Sequence, residues 1–177
     1  MTTRFTILTL VATLVLGAFA PAAAQQKPPL SPPAKASATI GAATITIDYA
    51  QPSMRGRKIM GALVPYDKVW RTGANAATTL KTSAAIEIGG TLVPAGTYTL
   101  YTLPGEKAWK LIINKQTGQW GTQYDQAQDL ARVDLTVGAT PAPVEQFTIT
   151  LAGTGAAAGL LTMEWESTKL TIPFKVK

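Results

Sequence analysis

From Ala36 onward, apolar and polar residues alternate with a period of two. Ile45, Ile47 and Tyr49 alternate with Thr44, Thr46 and Asp48, and Phe147, Ile149 and Leu151 with Gln146, Thr148 and Thr150. The same rhythm sets Leu161, Met163 and Trp165 against Thr162, Glu164 and Glu166. It also sets Leu170, Ile172, Phe174 and Val176 against Thr171 and Lys175. Trp109, Leu111 and Ile113 alternate with Lys110 and Asn114, although Ile112 makes that run apolar on both sides. Side chains two apart on a strand share a face, so each run has one side for a core and one for water. Parallel sheets, covered on both faces, read instead as continuous apolar strands. The pattern predicts an all-β fold of antiparallel strands.

Turn chemistry divides these runs. Gly89-Gly90 separates Ile86–Ile88 from Thr91–Val93, a tight hairpin whose glycines supply positive φ. Pro94-Ala95-Gly96 and Pro104-Gly105-Glu106-Lys107 turn the chain again. Pro173 lacks a ladder donor, which predicts an edge or a bulge in the last strand. Roughly eight to ten short strands with frequent turns read as a β-sandwich, immunoglobulin-like or jelly-roll-like. A helical pattern is confined to Tyr124–Ala131. Two stretches break the strand rhythm: Gln51–Asp67, with Pro52, Gly56, Gly61 and Pro65, and Lys115–Asp129. Loops of this length in a compact domain are functional or disordered, and the aromatic residues in both argue against plain disorder.

The amino terminus follows a different logic. One positive charge, Arg4, precedes an apolar run from Phe5 to Phe19 and then Ala22-Ala23-Ala24. This is the layout of a secretory signal peptide, residues 1–24, cleaved between Ala24 and Gln25. The run is shorter than the ~20 residues of a membrane span, so no span is expected once the signal is removed. Residues 25–35 carry two proline pairs and read as an extended tether. Residues 36–177 then form a single domain, and the mature chain is periplasmic or extracellular.

The net charge of +6 suggests nucleic acid at first sight. Yet Arg4, Lys27, Lys35, Lys175 and Lys177 lie in the signal, the tether or the far terminus, leaving the body nearly balanced. Only Arg55, Arg57 and Lys58 cluster, which is too little for a nucleic-acid footprint and reads as a solvated loop. The chain has no cysteine and no histidine. Apolar packing must therefore stabilise an exported fold that has no disulfide. Ser-His-Asp and Cys-His nucleophiles are excluded, as are thiolate and imidazole metal sites. Any metal would need oxygen ligands, and no Asp-x-Asp-x-Asp loop offers them, so no metal or other cofactor is expected. Asp67, Asp125, Asp129 and Glu164 are scattered acids that could in principle serve a carboxylate-based hydrolase. Nothing in their spacing singles them out, and no catalytic residue is assigned.

The richest constellation is Tyr66-Asp67-Lys68-Val69-Trp70-Arg71-Thr72-Gly73-Ala74-Asn75, with Trp120, Gln123 and Tyr124 offering similar groups in the second loop. Aromatic faces stack on sugars or peptides, while Arg and Asn supply directed hydrogen bonds. Trp70, Arg71, Asn75, Trp120 and Tyr124 are the candidate ligand-binding residues. The structural alternative puts Trp70 in the core, pairs Arg71 with Asp67 or another carboxylate, and has Asn75 cap a turn. Strand alternation would then send Trp70 and Arg71 to opposite faces.

The run from Leu63-Val64-Pro65-Tyr66 through Asn75 resembles a known family, the bacterial domain of unknown function 2911. Val93–Tyr98, Thr102–Trp109, Asn114-Lys115, Gln119-Trp120-Gly121, Pro143–Phe147 and Trp165-Glu166 extend the similarity over about residues 36–177. The resemblance implies an exported β-rich domain and carries no activity with it. In the family pattern the Gly-Ala-Asn run is followed by glutamate, where this chain has Ala76. If that carboxylate does chemistry in relatives, this chain lacks it. The leading expectation is a monomeric, non-enzymatic envelope module that binds a small molecule, glycan or peptide. The alternatives are an accessory domain that takes a protein partner along a sheet edge, or a carboxylate-based hydrolase.

Overall fold

A computed structural model describes residues 29–177. The signal peptide and the first part of the tether, residues 1–28, lie outside the described residues. The chain is all-β and antiparallel. Its strands are β1 (Pro33–Ile40), β2 (Ala43–Ala50), β3 (Thr78–Thr82), β4 (Ile86–Ile88), β5 (Thr91–Val93), β6 (Gly96–Leu103), β7 (Trp109–Asn114), β8 (Asp129–Gly155) and β9 (Ala158–Val176). They join in one open sheet in the order β1-β2-β3-β6-β7-β8-β9-β4-β5. Strand β1 takes in the last three residues read as tether, since Pro33, Ala34 and Lys35 lie opposite Ala50, Tyr49 and Asp48.

The expected sandwich called for two separate sheets, whereas here the long strand β8 joins both halves. Its first residues pair with β7 (Val133 opposite Leu111) and its remainder with β9 (Thr136 opposite Thr171, Leu151 opposite Leu161). Pairing with β9 slips between Ala139 and Thr148, and Glu166 on the facing strand adopts φ 54. This kink turns the β8–β9 ribbon back on itself, so that Val176 N–H reaches Ala157 O at 2.8 Å. Side chains from both halves then meet. Ile45, Leu80, Leu100 and Leu111 share one small internal gap with Ile86, Ile88, Leu161 and Phe174.

The alternation that predicted the strands also assigns their faces. Ile45, Ile47 and Tyr49 are buried, as are Leu161, Met163 and Trp165 and then Leu170, Ile172 and Phe174. Gly89 (φ 55) and Gly90 (φ 78) close the two-residue β4–β5 hairpin. Pro173 falls between two pairings of β9, which meets β8 up to Thr171 and β4 from Phe174, so its missing N–H costs no ladder bond. Tyr124–Ala131 is not a helix: one 3-10 turn covers Gln126–Gln128, capped by Asp125, and β8 starts at Asp129. Pairing of Ala131 with Ile113 on β7 overrides the weak local preference. Among the described residues no helix is long and apolar enough to cross a membrane.

Candidate functional site

The connection from β2 to β3, residues 51–77, is fixed at several separate points. Phe147 N–H donates to Pro52 O, Met54 N–H to Glu145 O, and Asp67 N–H to Pro104 O. Ile59 and Met60 N–H donate to the two carboxylate oxygens of Glu166 at 3.1 and 3.2 Å. Beyond Thr78, where β3 leaves the side of β6, Trp70 takes its place. Trp70 and Thr102 exchange both backbone bonds, at 2.8 and 2.9 Å. That bridge is all that forms of the strand expected there. Immediately after it the backbone departs from extended geometry: Thr72 has φ 54, Gly73 φ 152 and Asn75 φ 61.

A β-branched residue in the left-handed region is a steric outlier. Thr72 is fully buried and held in place: its Oγ1 donates to Trp70 O, and Thr78 Oγ1 donates to Thr72 O at 2.8 Å. Strain of this kind persists only where the surroundings over-determine it, and it concentrates at functional sites.

The second long loop lies over the outer face of β6. Thr99 Oγ1 donates to Gln116 O, Tyr101 O–H to Gln123 O, and Gln119 Nε2 to the Thr99 and Tyr101 hydroxyls. Gly121 N–H donates to Asn75 O, which ties this loop to the first connection. The two irregular stretches thus share one end of the sheet. Between them is a cleft of about 480 Å³.

Four of the five candidate residues, Trp70, Arg71, Asn75 and Tyr124, line this cleft. Trp120 does not. Its backbone pairs with Ala76 while its ring is 53% exposed outside the lining. Trp70 is half-buried, stacked on Trp165 (5.8 Å, 18°) and edge-on to Phe147 (5.0 Å). It is both core and wall. Trp70 packs toward the core on Trp165 and Phe147, while Arg71 lies against Gly121 of the second loop, and both side chains reach the lining of the one cleft. Arg71 does not meet Asp67: among the described residues its guanidinium has no carboxylate partner, and Nε donates only to Gly73 O at 3.3 Å. Its stem rests on Gly121, where an added Cβ would stand 2.8 Å from Arg71 Cδ.

Tyr124 is oriented by a polar group behind the cleft. Its hydroxyl donates to Asp129 Oδ2 at 2.6 Å, and Asp129 also accepts from Arg132 Nε (2.7 Å) and Asn114 Nδ2 (2.9 Å). Burial, reinforced by the hydrogen bond to Asp129, pushes the Tyr124 phenol up to about 12. Tyr101, edge-on to Tyr124 at 4.9 Å, is also raised, chiefly by burial.

Arg57, Leu63, Tyr101, Gly121 and Trp165 also line the cleft and were not among the candidates, nor was Val69, although it lies within the Tyr66–Asn75 run. Only Gly121 carried a local signal, a glycine beside a tryptophan in a long loop. The acids considered for hydrolysis lie elsewhere. Asp129 pairs with Arg132, Glu164 with Lys169, Asp125 caps the 3-10 turn, and none of them, nor Asp67, lines the cleft. Among the described residues no three His, Cys, Asp or Glu side chains stand close enough to hold a metal.

Residues 31–174 match the family described as Protein of unknown function (DUF2911). The chain belongs to that family. No curated protein and no solved structure matches it.

Proposed function

We propose that this DUF2911 domain is a non-enzymatic binding module of the cell envelope that takes a glycan or peptide ligand in the cleft between its two long loops. The observation that carries the reading is the cleft wall at Trp70–Asn75. There a guanidinium without a carboxylate partner stands beside a half-buried tryptophan, on backbone strained at a buried threonine. An arginine whose stem is packed in place and whose Nη groups are open is pre-organised to receive an anionic or carbonyl group. The lining includes no carboxylate, so acid–base hydrolysis has no pair of groups to run on there.

Pairing along a sheet edge is less well supported. Strand β5 is one edge and exposes Leu92, but it has three residues and is followed by Pro94, and the other edge, β1, opens on Pro32-Pro33, which have no N–H to donate.

The test is titration of the purified domain with short peptides and oligosaccharides, followed by the emission of its four tryptophans. Trp70 and Trp165 line the cleft, so a bound ligand shifts their emission, and Arg71→Ala abolishes the shift without unfolding the protein. If no ligand of either class perturbs the emission or raises the melting temperature, the reading fails. Export belongs to the same proposal. It predicts that the envelope form begins at Gln25, and mass spectrometry that finds Met1 retained on that material overturns it.

A further inference from the structure

The cleft has a charge and shape that narrow its ligand, provided that it is the binding site proposed above. Two arginines, Arg57 and Arg71, line it and no acidic residue does. The carboxylates that might have neutralised them are committed elsewhere. Glu166 accepts from Ile59 and Met60 N–H, Glu145 from Arg55 N–H, and Asp129 from Tyr124 and Arg132. Arg57 spends Nε and Nη2 on the carbonyls of Met54 and Ser53, which fixes the side chain but leaves its charge uncompensated. Arg71 donates once, through Nε, and its two Nη groups have no partner among the described residues. A planar fork held by its stem and left open at its end is the arrangement that receives a carboxylate in two parallel hydrogen bonds.

Beside this fork the wall is apolar, formed by Leu63, Val69, Trp70 and Trp165. A sugar ring would need an open aromatic face, and the cleft offers little. Trp165 covers one face of Trp70, Phe147 crowds it from another side, Tyr101 is 1% exposed, Tyr124 is half-buried against Tyr101, and the accessible Trp120 stands outside the lining. A peptide end asks for what is present: a fork for the carboxylate and an apolar wall for the last side chain. The rim already handles peptide backbone. Arg55 Nη2 donates to Leu30 O at 3.0 Å, where the chain's own proline-rich segment passes along the cleft.

We infer that the cleft receives the C-terminal end of a peptide, with Arg71 taking the terminal carboxylate and the Leu63–Val69–Trp70–Trp165 wall taking an apolar last residue.

The experiment uses fluorescein-labelled pentapeptides ending in Leu, Val, Phe or Ala. Each is made as the free acid and as the C-terminal amide, and anisotropy is read on the mature domain. An unlabelled acidic oligosaccharide and its neutral counterpart are titrated in parallel against tryptophan emission. The free acids ending in Leu, Val or Phe bind, and amidation weakens them by about tenfold or more, the loss of a charge-assisted pair. Arg71→Ala removes the distinction between acid and amide, and Arg71→Lys, which keeps charge without the fork, restores only part of it. Circular dichroism and the melting temperature show that both variants are folded. Equal binding of acid and amide overturns the carboxylate inference and leaves a binding cleft standing. Binding of the oligosaccharide with no response to peptides overturns it in favour of a glycan. Silence from every probe overturns both this inference and the binding reading.

Discussion

Glu166 joins the fold to the site, and its substitution has a cost that can be worked out from the structure. Its two carboxylate oxygens accept the N–H groups of Ile59, which is fully buried, and Met60. Its own backbone sits at φ 54, at the kink of β9. Glu166→Ala removes both bonds and leaves a buried donor without a partner. Hydrogen bonds to a charged group contribute about 1.5–3 kcal/mol each, and these are only partly buried, so the loss is about 2–4 kcal/mol. Glu166→Gln keeps one acceptor oxygen but turns its amide nitrogen toward the second N–H, at a cost of about 1–2 kcal/mol. Glu166→Gly loses the same bonds as alanine yet drops the Cβ penalty of left-handed backbone, so it is less damaging than alanine by about 1 kcal/mol. Guanidinium chloride unfolding at equilibrium, followed by tryptophan emission and far-ultraviolet dichroism together, gives these differences by linear extrapolation. The order Gln, Gly, Ala from mildest to worst is expected. A cost below about 1 kcal/mol for alanine would show that Glu166 does not pin the first loop, and glycine no better than alanine would show an unstrained kink.

Other substitutions separate scaffold from site. Gly89→Ala places a Cβ 2.5 Å from Val133 Cβ on backbone at φ 55, so thermal and denaturant unfolding should show a loss of about 2–4 kcal/mol. Gly90→Ala, at φ 78 with open space around it, should cost only about 1 kcal/mol. Arg71→Ala orphans no carboxylate and should cost at most about 1 kcal/mol in the same assay; a loss of 3–5 kcal/mol, the usual result of breaking a buried pair, would make Arg71 a scaffold residue. Tyr124 holds its proton to about 12 in the folded chain, above the ordinary value of 10.0. Its contribution to stability is therefore complete below pH 10 and is lost as pH rises through 12; Tyr124→Phe makes the decline measured across that window shallower, the remainder including that of Tyr101, which is also raised.

The strands were legible because burial is one-sided. In Ile45–Tyr49 and Leu170–Phe174 the buried face is the apolar set. Topology was not legible. No local signal says that β8 continues from its pairing with β7 into its pairing with β9, because the switch at Leu135–Thr136 leaves the alternation undisturbed. Tyr124–Ala131 misled for the opposite reason. A short helical pattern carries little free energy, and pairing with β7 decides against it.

The cleft lies where the strand periodicity stops. Trp70 and Arg71 line the cleft at the point where the extended run ends and the backbone turns at Thr72, and φ 54 at a threonine is not written in its propensity. That conformation is imposed from a distance, by the Trp70–Thr102 bridge on one side and the Thr78 hydroxyl on the other. Residue chemistry drew attention to segments that line the cleft, through an arginine, an asparagine and aromatic rings in turn-rich stretches. It failed for Trp120, whose neighbour Gly121 gives up its side chain so that Arg71 can lie across it. The glycine, more than the tryptophan, is what the second loop brings to the cleft. A bulkier residue there would displace the guanidinium from the position in which it can meet a carboxylate.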